Sequence, residues 1–211
     1  MNHDLKDFLA QLLNGQDLTE DQSEELMTAL AAGSVEPALA GALLVSLRMK
    51  GESAEEVRGF ANGMRKAAKE VVLENSSELI DIVGTGGDGS HSFNISTGAA
   101  LLSAACGLKV AKHGNRSVSS KSGSADLLEF LGYRFPMDAD GVKAQIKENG
   151  FSFLFAPNFH PAMKHIAPIR QALKARTVFN ILGPLTNPAN PSFYLLGAFS
   201  SEMASLMASS L

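Results

Sequence analysis

The chain has 211 residues, 45% of them apolar, which is enough for one large domain or a small domain beside a larger one. Eighteen basic residues against 22 acidic ones leave a formal net charge of −4, so neither nucleic acid nor an anionic membrane attracts it generally, and an anion site has to be a local cluster of donors. A single cysteine, Cys106, excludes an internal disulfide framework; the start Met1-Asn2-His3-Asp4 lacks a signal-peptide pattern, no uncharged apolar run is long enough to span a bilayer, and cytoplasmic is the default reading.

Leu5, Phe8, Leu9, Leu12 and Leu13 recur at helical spacing, and Gly15 stops that helix. Thr19 with Gln22 reads as a capping box before Leu26, Met27 and Leu30, with Gly33 closing the helix. Pro37 suits a first turn leading into Leu39 to Met49, which Gly51 ends. Ser53 with Glu56 reads as a second capping box, opening Val57 to Ala68. The run Ala38 to Leu47 has little polar face and is expected to be buried, within the chain or against another subunit.

The polar stretch Glu74-Asn75-Ser76-Ser77 reads as a linker, and the pattern changes after it. Leu79 to Val83 reads as a strand, Ser96 to Cys106 as a helix and Leu108 to Ala111 as a second strand. Ser124 to Leu131 and Asp138 to Asn149 read as helices stopped by Gly132 and Gly150, and Phe151 to Phe155 and Phe193 to Phe199 as further strands. Cys106, in the small apolar run Ala99 to Leu108, reads as a buried hydrophobe. Strands alternating with helices predict an α/β fold, a small N-terminal helical domain followed by a larger, mainly parallel sheet with helices over both faces. Glu202, Met203, Leu206, Met207 and Leu211 begin an amphipathic helix in which the sequence stops without a cap, so the α/β domain is expected to be incomplete at its C-terminus.

Gly84-Thr85-Gly86-Gly87-Asp88-Gly89 follows the first strand directly, and its glycines let backbone amides approach a ligand. The run matches G-x-G-x-x-G, but Ser90 to Asn94 intervene before the helix, and the second strand runs into Lys112-His113-Gly114 instead of a ribose-binding acid. A P-loop is excluded because no Gly-Lys-Ser/Thr follows. Asn94-Ile95-Ser96-Thr97-Gly98 opens a helix whose natural caps are Ser96 and Thr97, and free amides there favour an anion. The stretch Lys112 to Ser124 carries three cations, five hydroxyls and two glycines with no acid before Asp126, the composition of a phosphate cradle. Loops following two adjacent parallel strands converge at the carboxyl edge of the sheet, where open α/β sheets bind ligands.

Gly84 to Asp88, Asn94 to Thr97, Lys112 to Arg116 and Asn180-Ile181-Leu182-Gly183-Pro184-Leu185-Thr186-Asn187-Pro188, in that order, resemble the signatures of the anthranilate phosphoribosyltransferases. The resemblance covers the whole chain and implies an architecture shared with nucleoside phosphorylases, with substrate lying between the domains of a homodimer. It implies a helical domain over 1–72, for dimerisation and part of the cleft, and a domain over 78–211 that binds phosphoribosyl diphosphate, with 160–190 packing back on the helices. Gly84, Gly87, Asp88, Ser92, Asn94, Ile95, Ser96, Thr97, Lys112, His113, Gly114, Asn115, Arg116, Ser117, Val118, Ser119, Ser120 and Ser124 would hold the phosphoribosyl diphosphate, and Ser96 would touch a magnesium ion (Mg2+). Gly84, Asn115 and Arg170 would position anthranilate, Arg170 by a guanidinium fork suited to a carboxylate.

The implied reaction transfers the phosphoribosyl group to the anthranilate amine, giving N-(5-phosphoribosyl)anthranilate and diphosphate, a step of tryptophan synthesis. It needs positioning and charge stabilisation more than a strong base, and no general base is assigned. The family's adjacent Asp-Glu magnesium pair is absent, since Glu202 is the sole acid after Gly150. The alternative reading is a truncated, non-catalytic phosphate-binding relative.

Overall fold

The fold comes from a computed structural model that describes residues 4–73, 76–86, 93–117 and 122–211. In chain order it contains α1 (Leu5–Leu13), α2 (Glu20–Ala32), α3 (Pro37–Lys50), α4 (Ala54–Lys66), β1 (Leu79–Gly84), α5 (Ile95–Ala105), β2 (Lys109–Gly114), α6 (Ser124–Phe130) and α7 (Ala139–Asn149). Then follow β3 (Phe151–Phe155), α8 (Ala156–Phe159), α9 (Met163–Leu173), α10 (Phe179–Leu182), β4 (Phe193–Gly197) and α11 (Ser201–Ser210). By contacts the chain divides into one unit of Met1–Ala68, Pro161–Thr186 and Ser205–Leu211, and a second of Lys69–His160 and Asn187–Ala204. No helix is long and apolar enough to cross a membrane among the described residues.

The first unit is built by local rules. Both capping boxes form, Thr19 with Gln22 on α2 and Ser53 with Glu56 on α4, and Gly33 closes α2 in the left-handed conformation. The α4 helix begins at Ala54, directly after its cap, three residues before the apolar run that reveals it in the sequence. Of the apolar run in α3, Ala40, Leu43, Leu44 and Leu47 are buried and Met49 is exposed. The Glu56 side chain is fully buried, and it is satisfied by the Leu18 amide at 2.9 Å and the Lys50 ammonium at 2.9 Å. Phe179 of α10 meets Phe60 of α4 edge-on, 6.4 Å between ring centres.

The second unit holds a four-stranded sheet, all parallel, in the order β3-β2-β1-β4 among the described residues. Leu79, Ala111 and Leu154 point to one face, where Val142 and Ile146 of α7 and Phe159 of α8 cover them. Ile82, Val110, Phe151 and Phe153 point to the other, against Ala100 of α5 and Ala125 and Leu128 of α6. This two-faced burial is what a parallel sheet requires. The strand β2 reaches Gly114, three residues past the apolar run, because Lys112 and His113 are themselves buried. Cys106 corrects the sequence reading: α5 ends at Ala105 and buries Thr97 and Ala100, so the cysteine caps the helix and is exposed.

In the first unit α2 and α4 approach closely at Gly59. A Cβ there would lie 2.2 Å from the Glu20 carbonyl oxygen and 2.7 Å from the Ser23 Cβ. Gly59→Ala is therefore expected to destabilise the protein by about 1–3 kcal/mol, the usual cost of overpacking against backbone, even though alanine favours helix. Denaturant unfolding of the two proteins measures this, and equal midpoints would contradict the close contact.

Candidate functional site

In the second unit, the carboxyl ends of β1 and β2 and the first turn of α5 meet around one side chain. Lys112 of β2 is buried, and its ammonium donates to the Ile82 carbonyl of β1 and lies 3.4 Å from Ser96 Oγ of α5. Burial lowers the Lys112 ammonium to about 8, and the charge of Asp81 opposes that shift. Ser96 and Thr97 do not cap α5: Asn94 takes the cap position without a side-chain bond to the helix. Ser96 faces Lys112 instead, while Thr97 is fully buried and its hydroxyl has no hydrogen-bond partner among the described residues. Asn94 turns outward from the helix, and its side-chain amide donates to the Gly123 carbonyl at 3.1 Å, tying this turn to the base of the loop after β2.

That loop is closed at its stems by a carboxylate. Asp126 Oδ2 accepts from the Ser117 amide at 3.0 Å and the Gly123 amide at 2.7 Å, and these bonds, first that to Ser117, hold its carboxyl below the usual range. A Cβ on Gly123 would sit 2.4 Å from the Ser117 nitrogen, so the two stems meet only because residue 123 is glycine. Arg116 is not an open cation. Its guanidinium is bidentate to Glu129 at 2.6 and 2.9 Å, 3.2 Å from Asp126, and 5.6 Å above the Phe155 ring. The stretch that is acid-free in sequence thus acquires two acids in space, because α6 turns back beneath it.

The remaining expected residues fall in different places. Gly84 ends β1, and the Thr85 amide beyond it donates to Gly197 of β4 at 2.9 Å. Gly114 ends β2, Asn115 is exposed with its Oδ1 accepting the Arg116 amide at 2.7 Å, and Ser124 begins α6. Ile95 begins α5 and is exposed. His113 is buried, with Nε2 3.1 Å from Nε2 of His160. Gly87, Asp88, Ser92, Val118, Ser119 and Ser120 lie outside the described residues. Arg170 belongs to the first unit, on α9. It is partly buried, 5.6 Å above the Phe179 ring, and burial lowers its guanidinium; no carboxylate pairs with it among the described residues.

Sequence reasoning missed Asp81, which is fully buried in β1. The Asn187 side-chain amide donates to it at 2.8 Å and the His113 backbone amide at 3.3 Å. Burial raises its carboxyl to about 7, against the lowering effects of Lys112 and Asn187. The available signal was the residue itself, since an acid in the middle of an apolar parallel strand needs a reason.

The fold is an open, parallel α/β sheet, and the gathering of Lys112, Ser96 and Asn94 lies at its carboxyl edge, where such sheets bind ligands. Two family descriptions match the chain: the helical bundle domain of a glycosyl transferase family over residues 6–68 and the a/b domain of that family over 76–211. The chain belongs to this glycosyl transferase family. It is 49% identical over 203 residues to an anthranilate phosphoribosyltransferase of Idiomarina loihiensis and 47% identical over 201 residues to one of Burkholderia cenocepacia. Those matches take in 96% and 95% of this chain but 60% and 59% of the relatives, so the chain spans about three-fifths of their length. The crystal structure of anthranilate phosphoribosyltransferase from Thermus thermophilus is 47% identical with a TM-score of 0.86, covering 97% of this chain and 62% of that one. The Saccharomyces cerevisiae enzyme in complex with PRPP and Mg is 32% identical with a TM-score of 0.86, covering 98% and 61%.

Asp81 gives a pH prediction. Its carboxyl is raised from 3.8 to about 7 in the fold. Between those values the folded protein keeps a proton that the unfolded chain releases, so stability falls as pH rises through the window and levels off above it. Asp81→Asn removes this dependence. Its unfolding free energy is expected to gain on that of the unsubstituted protein from about pH 4 to about pH 7, and a constant difference in denaturant titrations would contradict the buried acid.

Proposed function

We propose that the protein transfers the phosphoribosyl group of phosphoribosyl diphosphate to the amine of anthranilate, releasing diphosphate, in tryptophan biosynthesis. The observation that carries the proposal is the gathering of Lys112, Ser96 and the Asn94-tied base of the 115–124 loop at one sheet edge, in a chain 47–49% identical to enzymes of that name. In this reading the donor-rich edge takes the phosphoribosyl diphosphate, with Gly84, Asn94 to Thr97, Lys112 to Ser117 and Ser124 as its described part. Arg170, a partly buried guanidinium with no carboxylate among the described residues, takes the anthranilate carboxylate. Residues 1–72 serve dimerisation and 78–211 hold the phosphoribosyl diphosphate, in a homodimer placed in the cytoplasm.

Charge builds on the departing diphosphate while the sugar becomes cation-like, so fixed donors that do not reorganise are the useful contribution. Lys112 and the amides at the start of α5 supply such donors. His113 is unsuited to taking the amine proton through Nε2, which faces His160. Magnesium accompanies the diphosphate in this proposal. Among the described residues no group of three or more acids, histidines or cysteines is gathered to hold a metal, and Ser96 offers one hydroxyl, so they do not by themselves form a magnesium site.

The test supplies phosphoribosyl diphosphate, magnesium and anthranilate and follows the fluorescent product. Formation of N-(5-phosphoribosyl)anthranilate is expected; binding of phosphoribosyl diphosphate without turnover would make the chain a binding relative instead. Arg170→Ala is expected to weaken anthranilate binding by roughly 1.5–3 kcal/mol, the range for charge-assisted hydrogen bonds. Phosphoribosyl diphosphate binding should be spared, and calorimetry with each ligand separates the two. Loss confined to the diphosphate would overturn the role given to Arg170.

A further inference from the structure

The two central strands part before they end. Backbone pairing of β1 with β2 covers Leu79–Lys109 and Ile80–Val110 only. Yet β1 continues beside β4 to Gly84, and β2 continues beside β3 to Gly114. In a parallel ladder each rung carries one amide to a carbonyl and one carbonyl to an amide two residues further on. The next rung in register would join the Ile82 amide to the Ala111 carbonyl and the His113 amide to the Ile82 carbonyl. That rung is absent.

Side chains satisfy those backbone groups instead, as buried amides and carbonyls demand. The Ala111 carbonyl accepts from Asn187 Nδ2 at 2.7 Å. The His113 amide donates to Asp81 Oδ1 at 3.3 Å, and the Ile82 amide also helps to hold the Asp81 charge. The Ile82 carbonyl accepts from the Lys112 ammonium. Asn187 Nδ2 donates in addition to Asp81 Oδ2 at 2.8 Å, and Asn187 Oδ1 accepts the Ala189 amide at 2.9 Å, which fixes the carboxamide in one orientation. All three side chains are at most 1% exposed. A plain backbone rung would need no buried carboxylate or ammonium, so the arrangement is dearer in stability than the one it replaces.

We infer that Asp81 and Asn187 are positioning residues that, with the Lys112 ammonium between the strands, hold the two central strands unzipped and so set the distance between the end of β1 at Gly84 and the end of β2 at Gly114. The inference deepens the phosphoribosyl reading and takes its ligand from it. Asn187 thereby gains a role that its motif alone does not assign. The crevice where ligands enter an open α/β sheet normally arises where the strand order reverses. Here the carboxyl ends of β1 and β2 are also held apart from within.

The test combines single-residue amide exchange by NMR with calorimetry using phosphoribosyl diphosphate and magnesium. At a pH above about 7, where the Asp81 carboxyl is ionised, Asp81→Asn keeps the shape but replaces one of two acceptor oxygens with a donor. It is expected to accelerate exchange at Ile82 or His113 about tenfold and to weaken the ligand about tenfold, the lower range for losing a group that orients a binding residue, with a melting temperature no lower than before. Asn187→Leu keeps the volume and removes every hydrogen bond; a packing role predicts unchanged affinity, whereas the inference predicts a comparable tenfold loss. Unchanged exchange at both amides, or unchanged affinity in a folded variant, would overturn it. Should Asn187→Leu not fold, Asp81→Asn decides alone. Should the unsubstituted chain bind no phosphoribosyl diphosphate, the phosphoribosyl reading fails, and amide exchange in Asp81→Asn still decides whether these side chains hold the strands.

Discussion

The site depends on one buried carboxylate being kept in place. Asp81 sits in one of the two central strands; among the described residues no cation hydrogen-bonds to it, and it is held by amides, from Asn187 and from the backbone at His113. Those bonds anchor the end of β2, and the end of β2 aims Lys112 at β1 and α5. The donor-rich edge is therefore suspended from an interaction on the opposite face of the sheet.

The loop after β2 rests on a second carboxylate with a different task. Asp126 is near the surface and joins amides that are close in space and six residues apart in sequence. It ties the two stems together through one carboxylate oxygen. Glycine at 123 allows the contact, and Asn94 links the same stem to α5. The described stems of that loop are thus braced by two acids, Asp126 and Glu129, although the proposed ligand is an anion.

What could be read from the sequence follows the range of the interactions. Capping boxes at Thr19 and Ser53, the glycine stops and the alternation of strands and helices are local signals, and they locate the elements and the parallel sheet. Of the four motifs, two mark where β1 and β2 end, Asn94 to Thr97 opens α5, and the last begins in α10. Partners distant in sequence were illegible: Asp81 meets Asn187 across 106 residues, and Arg116 meets Glu129 only because α6 folds back. The start of α5 was misjudged because Ser96 and Thr97 are good caps by type, while the fold gives the Ser96 hydroxyl to Lys112. Cys106 was misjudged because a run of small apolar residues does not say where a helix ends.

The pairing of Arg116 bears on selectivity among anions. Its guanidinium is already met by two carboxylates and a ring face. A newcomer must outbid those partners, and chloride or a lone monoanion has neither the charge nor the forked oxygens to do so. A polyphosphate has both. In the proposed reading, a guanidinium already paired with two carboxylates would favour a multivalent phosphate over a lone monoanion, because only the former offers enough charge and forked oxygens to replace those partners.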